Sequence, residues 1–310
     1  MTTQKRSPVQ LTEVGPRDGL QSDGARVSTA VKIAYIESLV EAGVRQIECT
    51  SFVHPKWVPA MADAEAVFAG LRKKEGVRYL ALVPNLRGYD RARAAGCDAI
   101  ALFTAASEAF AKKNINMTID ESLATFAEVA ERAHADGVAV RGYVSTVIAC
   151  PYSGRVEPEA VLTVVQRLLA MGCYEVSLGD TIGVGTPADV RKLLRTLLAE
   201  IGSDKLVMHF HDTFGMGVVN VAQSLSLGIR KFDASAGGLG GCPYAKSATG
   251  NVPTEDVLYL LDSLGYSTGI SLDGIVKAGV GLAEHLSHPL PSRVHEAVVA
   301  GRVRIQHGDE

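Results

Sequence analysis

Met171-Gly172-Cys173-Tyr174-Glu175-Val176-Ser177-Leu178-Gly179-Asp180 reads as the end of a helix, a stop, and a short strand running into a carboxylate. Glycine takes the left-handed conformation that closes a helix without steric cost, which is why the helical pattern from Glu159 to Met171 ends at Gly172. The same punctuation recurs at Glu41-Ala42-Gly43-Val44, Ala95-Gly96-Cys97, Asp136-Gly137-Val138 and Leu227-Gly228-Ile229. Strands are expected over 9–14, 45–51, 77–83, 98–104, 139–147, 174–179, 205–211 and 230–235, with helices such as Glu121 to Ala135 and Ala188 to Ile201 between them. Eight strand–helix units at this spacing predict an α/β fold, the (β/α)8 TIM barrel. The competing open, doubly wound sheet lacks a Gly-x-Gly-x-x-Gly after its first strand. The barrel is expected to span about 9–262 and two further helical stretches, Leu272 to Leu286 and Arg293 to Val299, to add C-terminal helices over about 270–303. Residues 1–310 are then one catalytic domain.

Composition narrows the function. A net charge of -3 offers no basic face for nucleic acid, and no apolar run reaches membrane-spanning length. The five cysteines are scattered and odd in number, which reads as reduced thiols in a cytoplasmic protein rather than a disulfide framework.

In such a barrel, chemistry belongs at the C-terminal ends of the strands. There the sequence places Glu13, Arg17 and Asp18 after strand 1, Glu48 on strand 2, Asn85 after strand 3, and Thr104, Ser107 and Glu108 after strand 4. Tyr143 and Ser145 stand on strand 5, Asp180 ends strand 6, His209 and His211 end strand 7, and a long loop after strand 8 carries Cys242 and Asn251. Within Val207-Met208-His209-Phe210-His211-Asp212, the two histidines are two apart, so on a strand both imidazoles project to one side. With a carboxylate and one more oxygen they would suit a divalent cation; otherwise they are hydrogen-bonded polar residues of the barrel mouth. Asp18 is the carboxylate of choice because a closed barrel returns strand 1 to the side of strand 8, close to strand 7, and Asn251 is the added oxygen. Arg17 is either an ordinary surface partner of Asp18 or a fork for an anionic oxygen such as an enolate, with Glu48 fixing it. Gly237-Gly238-Leu239-Gly240-Gly241-Cys242 reads as a mobile loop with a reactive thiol at its tip, or as a phosphate-binding turn with a bystander cysteine. Cys97, Cys150 and Cys173 read as structural, and Lys112 and Lys113 as a solvated loop or a phosphate contact.

These residues together resemble the hydroxymethylglutaryl-CoA lyases, metal-dependent barrels related to Claisen-condensing enzymes. The matching stretches are Glu13-Val14-Gly15-Pro16-Arg17-Asp18-Gly19-Leu20-Gln21, Thr50-Ser51-Phe52-Val53, Pro55-Lys56-Trp57-Val58-Pro59 and Lys112-Lys113-Asn114-Ile115-Asn116. Further matches are Arg141 to Ser145, Gly172 to Glu175, Ser177 to Gly183, His209 to Thr213 and the Gly238 to Asn251 loop. The resemblance implies Mg2+ or Mn2+ on Asp18, His209, His211 and Asn251, and cleavage of (S)-3-hydroxy-3-methylglutaryl-CoA into acetyl-CoA and acetoacetate. It implies catalytic roles for Arg17, Asp18, Glu48, Asp180 and Cys242, with Asp18 or Asp180 as the base. Substrate, with coenzyme A as part of it, would meet Arg17, Tyr143, Ser145, Asn114 and Lys113. A homodimer, no nucleic-acid or membrane partner, and a place in leucine catabolism complete the expectation. Lys246 and Ser247 depart from the family pattern in the cysteine loop, and Leu286-Ser287-His288-Pro289 lacks the basic and amide groups that relatives offer to coenzyme A. The same polar set would serve an isohexenyl homologue or a citramalyl thioester, or a condensing transferase. A binding-only barrel would have lost part of it.

Overall fold

The computed structural model describes residues 7–23, 26–241 and 250–301, so Cys242, Lys246 and Ser247 lie outside the described residues. Eight parallel strands close a barrel: β1 (Gln10–Glu13), β2 (Gln46–Ser51), β3 (Arg78–Leu82), β4 (Ala99–Ala105), β5 (Ala139–Ser145), β6 (Val176–Asp180), β7 (Leu206–Phe210) and β8 (Lys231–Ala234). Each pairs with the next and β8 pairs with β1, so the first and last strands lie side by side, as expected. The outer ring runs α1 (Thr29–Glu41), α2 (Ala64–Gly70), α3 (Leu86–Ala94), α4 (Glu108–Ile115), α5 (Ile119–Ala135), α6 (Pro158–Ala170), α7 (Pro187–Leu198), α8 (Gly217–Ser226) and α9 (Thr254–Ser263). The apolar core fills the space between strands and helices, with Ile47, Ile100, Leu178, Met208 and Phe232 among its fully covered members.

All five glycine joints have positive φ, so the stop signal acts as read. At Gly43 it has a second reason, since a Cβ there would meet the Gly269 carbonyl oxygen at 2.3 Å. Several helix starts are capped by side chains. Thr118 with Glu121 and Thr186 with Asp189 form reciprocal boxes that satisfy first-turn N–H groups. Beyond the barrel, α10 (Leu272–Ala283) packs on α1 and α9, and α11 (Arg293–Val299) packs on α9 and α10.

Two expectations need correcting. Lys112 and Lys113 stand in the last turn of helix α4, not in a loop; Ser107 caps its start, and Asn116 in the left-handed conformation closes it. Helix α10 ends at Ala283 rather than at the expected Leu286. No helix among the described residues is long and apolar enough to cross a membrane.

Candidate active site

The turn after β1 is built on one carbonyl. The N–H groups of Arg17, Asp18 and Gly19 all point to Val14 O, at 3.1, 2.8 and 3.2 Å, in a π-type turn. Gly15 is required there because a Cβ would come within 2.7 Å of both Glu13 Oε1 and Tyr35 Oη. This turn aims Arg17 and Asp18 into the barrel mouth. Glu48 reaches them from β2, where a bulge between Glu48 and Thr50 shifts the register against β3. Arg17 donates through Nε to Glu48 Oε2 at 2.7 Å, and its Nη1 pairs with Asp18. Tyr143 donates to the same Glu48 oxygen at 3.2 Å, and the Arg17 guanidinium lies 5.6 Å from its ring centre. Burial opposes the charge on Arg17, but Asp18 and Glu48 together hold it firmly cationic. Burial pushes the Glu48 carboxyl up in spite of Arg17.

Asp18, His209 and His211 converge as a possible metal site. The two Nε2 atoms are 3.4 Å apart and lie 3.8 and 3.9 Å from Asp18 Oδ2. A triangle of these sides has its centre roughly 2.1 Å from every corner, the bond length of a small divalent cation to oxygen or nitrogen. Asn251 is held beside it by a bridge to His211; its Nδ2 donates to Asp18 Oδ2 at 2.9 Å, and its Oδ1 is buried without a hydrogen-bond partner. The donor set of one carboxylate, two imidazoles and an idle amide oxygen therefore fits a hard or borderline cation. Burial alone would raise the Asp18 carboxyl, but Arg17 and the two imidazoles hold it well below the usual range, so it stays ionised. Asp180 behaves in the opposite way. Burial pushes it up, Gly185 N donates to its Oδ2 at 2.8 Å, and its Oδ1 is buried without a partner.

The remaining expected residues are dispersed. Ser145 is half-buried at the end of β5, while Lys113 and Asn114 are exposed on α4. Thr146 follows Ser145 with φ 59°, a left-handed conformation unusual for a β-branched residue, and donates its N–H to Thr181 Oγ1 at 2.7 Å. Cys97 and Cys173 are core thiols, as read, with burial pushing Cys173 up to about 12.

The start of the cysteine loop differs from the reading of flexibility. Gly237 and Gly238 are buried in a tight turn, and their positive φ and contacts with Leu290 and Pro253 explain the glycines. Two buried carboxylates pin this root: Glu13 accepts from Ala236 N at 2.9 Å and Gly15 N at 2.8 Å, and Glu255 accepts from Gly237 N at 2.8 Å. Burial pushes the Glu13 carboxyl up to about 7, against the pull of Thr254 and the two amides. A carboxyl raised in the fold makes its contribution below its unfolded value of 4.5 and loses it as pH rises through about 7. The Thr254 hydroxyl donates to Glu13 Oε2 at 2.7 Å; Glu13→Gln, whose amide can instead donate to that hydroxyl, is therefore expected to flatten the fall in stability between those pH values. Denaturant midpoints at pH 5 and 8 check this, and an unchanged pH dependence would count against a neutral Glu13.

Sequence reading passed over the interior charges: Arg141 on β5, Glu175 ahead of β6 and Asp233 on β8 are all fully covered. The signal was present, because charged residues on strands covered on both sides must point into the barrel.

A closed eight-stranded barrel that gathers a possible metal site and a buried arginine fork at one end defines a class, the metal-assisted barrel enzymes. The HMGL-like family matches residues 8–280. Hydroxymethylglutaryl-CoA lyase, mitochondrial, of Bos taurus is 49% identical over 93% of this chain and 89% of its own length. The 3-hydroxy-3-isohexenylglutaryl-CoA/hydroxy-methylglutaryl-CoA lyase of Pseudomonas aeruginosa is 50% identical over 94% and 97%. Among solved structures, hydroxymethylglutaryl-CoA lyase from Pseudomonas aeruginosa superposes with a TM-score of 0.93 at 49% identity, covering 96% of this chain and 99% of that one. An HMG-CoA lyase from Acinetobacter baumannii in complex with coenzyme A and 3-methylmalate superposes with a TM-score of 0.91 at 36% identity, covering 98% of each. The chain belongs to the HMGL-like family and, within it, to the hydroxymethylglutaryl-CoA lyases.

Proposed function

We propose that this chain is a carbon–carbon lyase that cleaves (S)-3-hydroxy-3-methylglutaryl-CoA into acetyl-CoA and acetoacetate by a retro-Claisen step. The observation that carries the reading is the convergence of Asp18, His209 and His211 beside the buried Arg17 fork. A magnesium or manganese ion held by Asp18, His209, His211 and Asn251 would chelate the substrate's oxygens and acidify its tertiary hydroxyl. Of the two candidate bases, Asp18 is held low by Arg17 and the imidazoles while Asp180 is pushed up by burial and keeps a free buried oxygen, which favours Asp180 as the base. Loss of the hydroxyl proton to Asp180 lets the carbonyl of acetoacetate form as the adjacent C–C bond breaks. The electron pair of that bond moves onto the thioester as an enolate, whose oxygen the Arg17 cation stabilises. Cys242 then gives its proton to the enolate carbon, completing acetyl-CoA. Glu48 and Tyr143 hold Arg17 in place. Ser145 at the end of β5 meets the acyl part, and Lys113 and Asn114 on α4 meet the coenzyme A end. The coenzyme A and hydroxydicarboxylate bound to the Acinetobacter relative support an acyl-CoA substrate.

The name of the Pseudomonas relative favours a second reading, in which an isohexenyl side chain is also accepted at the same carbon. We place the enzyme in leucine catabolism in the cytoplasm as a homodimer; the four described cysteines are free thiols, which suits a reducing compartment.

A steady-state assay with Mg2+ tests the reading, offering hydroxymethylglutaryl-CoA, isohexenylglutaryl-CoA and citramalyl-CoA side by side. Acetyl-CoA and acetoacetate should form from the first, stop with EDTA and return with added Mg2+ or Mn2+. Turnover of citramalyl-CoA alone would overturn the substrate, and condensation of acetyl-CoA with a 2-oxo acid would overturn the reaction.

A further inference from the structure

We propose that Asp233 is the positioning residue of this metal centre, fixing His209 in the tautomer that turns the bare lone pair of Nε2 towards Asp18 and His211. The inference rests on the metal-site reading given above and extends it to a residue outside the ligand set. His209 and Asp233 are Cα partners in the pairing of β7 with β8, so their side chains enter the same layer of the barrel interior. Asp233 Oδ2 lies 3.2 Å from His209 Nδ1 and accepts the Ser177 hydroxyl at 2.7 Å. Its Oδ1 accepts Arg141 Nη2 at 2.6 Å. With a fully covered arginine donating to both of its oxygens and the Ser177 hydroxyl donating to Oδ2, the carboxylate has only acceptor capacity to offer. The hydrogen between Asp233 and His209 must then sit on Nδ1, and a neutral imidazole protonated there has no hydrogen on Nε2.

Arg141 is itself held from below. Its Nε donates to Glu175 Oε1 at 2.8 Å, and Lys231 Nζ pairs with Glu175 Oε2 at 2.8 Å. Lys231, Glu175, Arg141, Asp233 and His209 thus alternate in charge and donor role from the floor of the barrel up to the ligand atoms. A second arm leaves the same guanidinium, since Nη1 donates to Tyr143 Oη at 2.5 Å and Tyr143 donates to Glu48, the partner of Arg17. Among the described residues His211 has no such outer partner: its Nδ1 is buried with no hydrogen-bond partner, and its Nε2 faces only His209 and Asp18. The two imidazoles are therefore unequal. His209 is oriented before any ion arrives, while the orientation of His211 depends on the ion and on Asp18.

Two measurements on the full chain decide the matter. Imidazole 15N spectra of the metal-free protein should show His209 protonated at Nδ1; protonation at Nε2, or an even mixture of tautomers, would overturn the proposal. Asp233→Asn keeps an acceptor for Arg141 but can turn an N–H towards His209 Nδ1. Mn2+ titration followed by electron paramagnetic resonance should then show affinity weaker by roughly 10–100-fold. Turnover should recover in large part at saturating Mn2+, with the KM for substrate unchanged. A purely structural role would lower stability and leave the Mn2+ affinity of the folded fraction as it was. A folded variant that binds Mn2+ like the parent would overturn the proposal, and if the variant does not fold, the 15N spectrum of the parent decides alone. Failure of the parent itself to bind Mn2+ would instead overturn the metal-site reading on which the inference stands.

Discussion

Arg17→Gln is expected to lower kcat by roughly 10^3 or more, because removing a single neutral donor from a developing oxyanion already costs about 10^2–10^3. Arg17 supplies a full positive charge in a covered site, where burial is offset by Asp18 on one side and Glu48 on the other. Glutamine keeps two N–H donors and most of the volume but no charge, so binding of the ground-state thioester should change far less than its cleavage. The substitution also leaves Glu48, which is 0% exposed, without its cation. An uncompensated buried charge costs about 3–5 kcal/mol. Burial already pushes the Glu48 carboxyl up, so taking on a proton is its way out, and the variant is expected to fold with a lowered Tm. Arg17→Lys should recover the charge and the fold but not the two-pronged contact with Glu48 and Asp18, leaving activity well below the parent. Steady-state kinetics with thermal melts on both variants check this. A kcat for Arg17→Gln within tenfold of the parent would remove Arg17 from the reacting atoms.

His211→Ala is expected to weaken Mn2+ binding by more than the roughly 100-fold that losing an outer partner costs, since it removes a direct ligand. Its effect on folding should be small. The ring makes no hydrogen bond through Nδ1, and its Nε2 faces only His209 and Asp18 within the site. His209→Ala carries a further penalty, because it strands Asp233 facing an empty space that a donor had filled. The two variants should therefore separate: similar losses of metal affinity, but a larger drop in Tm for His209→Ala. Titration with Mn2+ and melting curves in EDTA measure the two quantities apart. Equal Mn2+ affinity in His211→Ala and the parent would exclude His211 as a ligand.

The strands and the gathering of Asp18 with His209 and His211 were legible for local reasons. A glycine in the left-handed conformation ends a helix wherever it occurs, so the joints at Gly43, Gly96, Gly137, Gly172 and Gly228 marked the strand starts before any contact was known. The period of a strand put His209 and His211 on one side, and closure of eight units put Asp18 near them. Asp233 and Arg141 were passed over because a single inward charge on a strand looks like any other polar residue until its partner is placed. That partner lies 92 positions away in the chain. The cysteine loop was misread at its root for a related reason: a run of glycines suggests freedom, whereas Gly237 and Gly238 are held by Glu255 and packed under Leu290 and Pro253.

Short-range patterning repeated along the chain was enough for the eight-unit barrel, the end at which chemistry gathers, and the family. The proton affinity of each acidic side chain, by contrast, is a property of the tertiary structure. Asp18 and Asp180 are the same residue type at the same end of the barrel, yet one is held low beside a guanidinium and two imidazoles while the other is pushed up by burial. Proton affinity is set by the charges and the water within a few ångströms, and those are brought together by residues far apart in the chain.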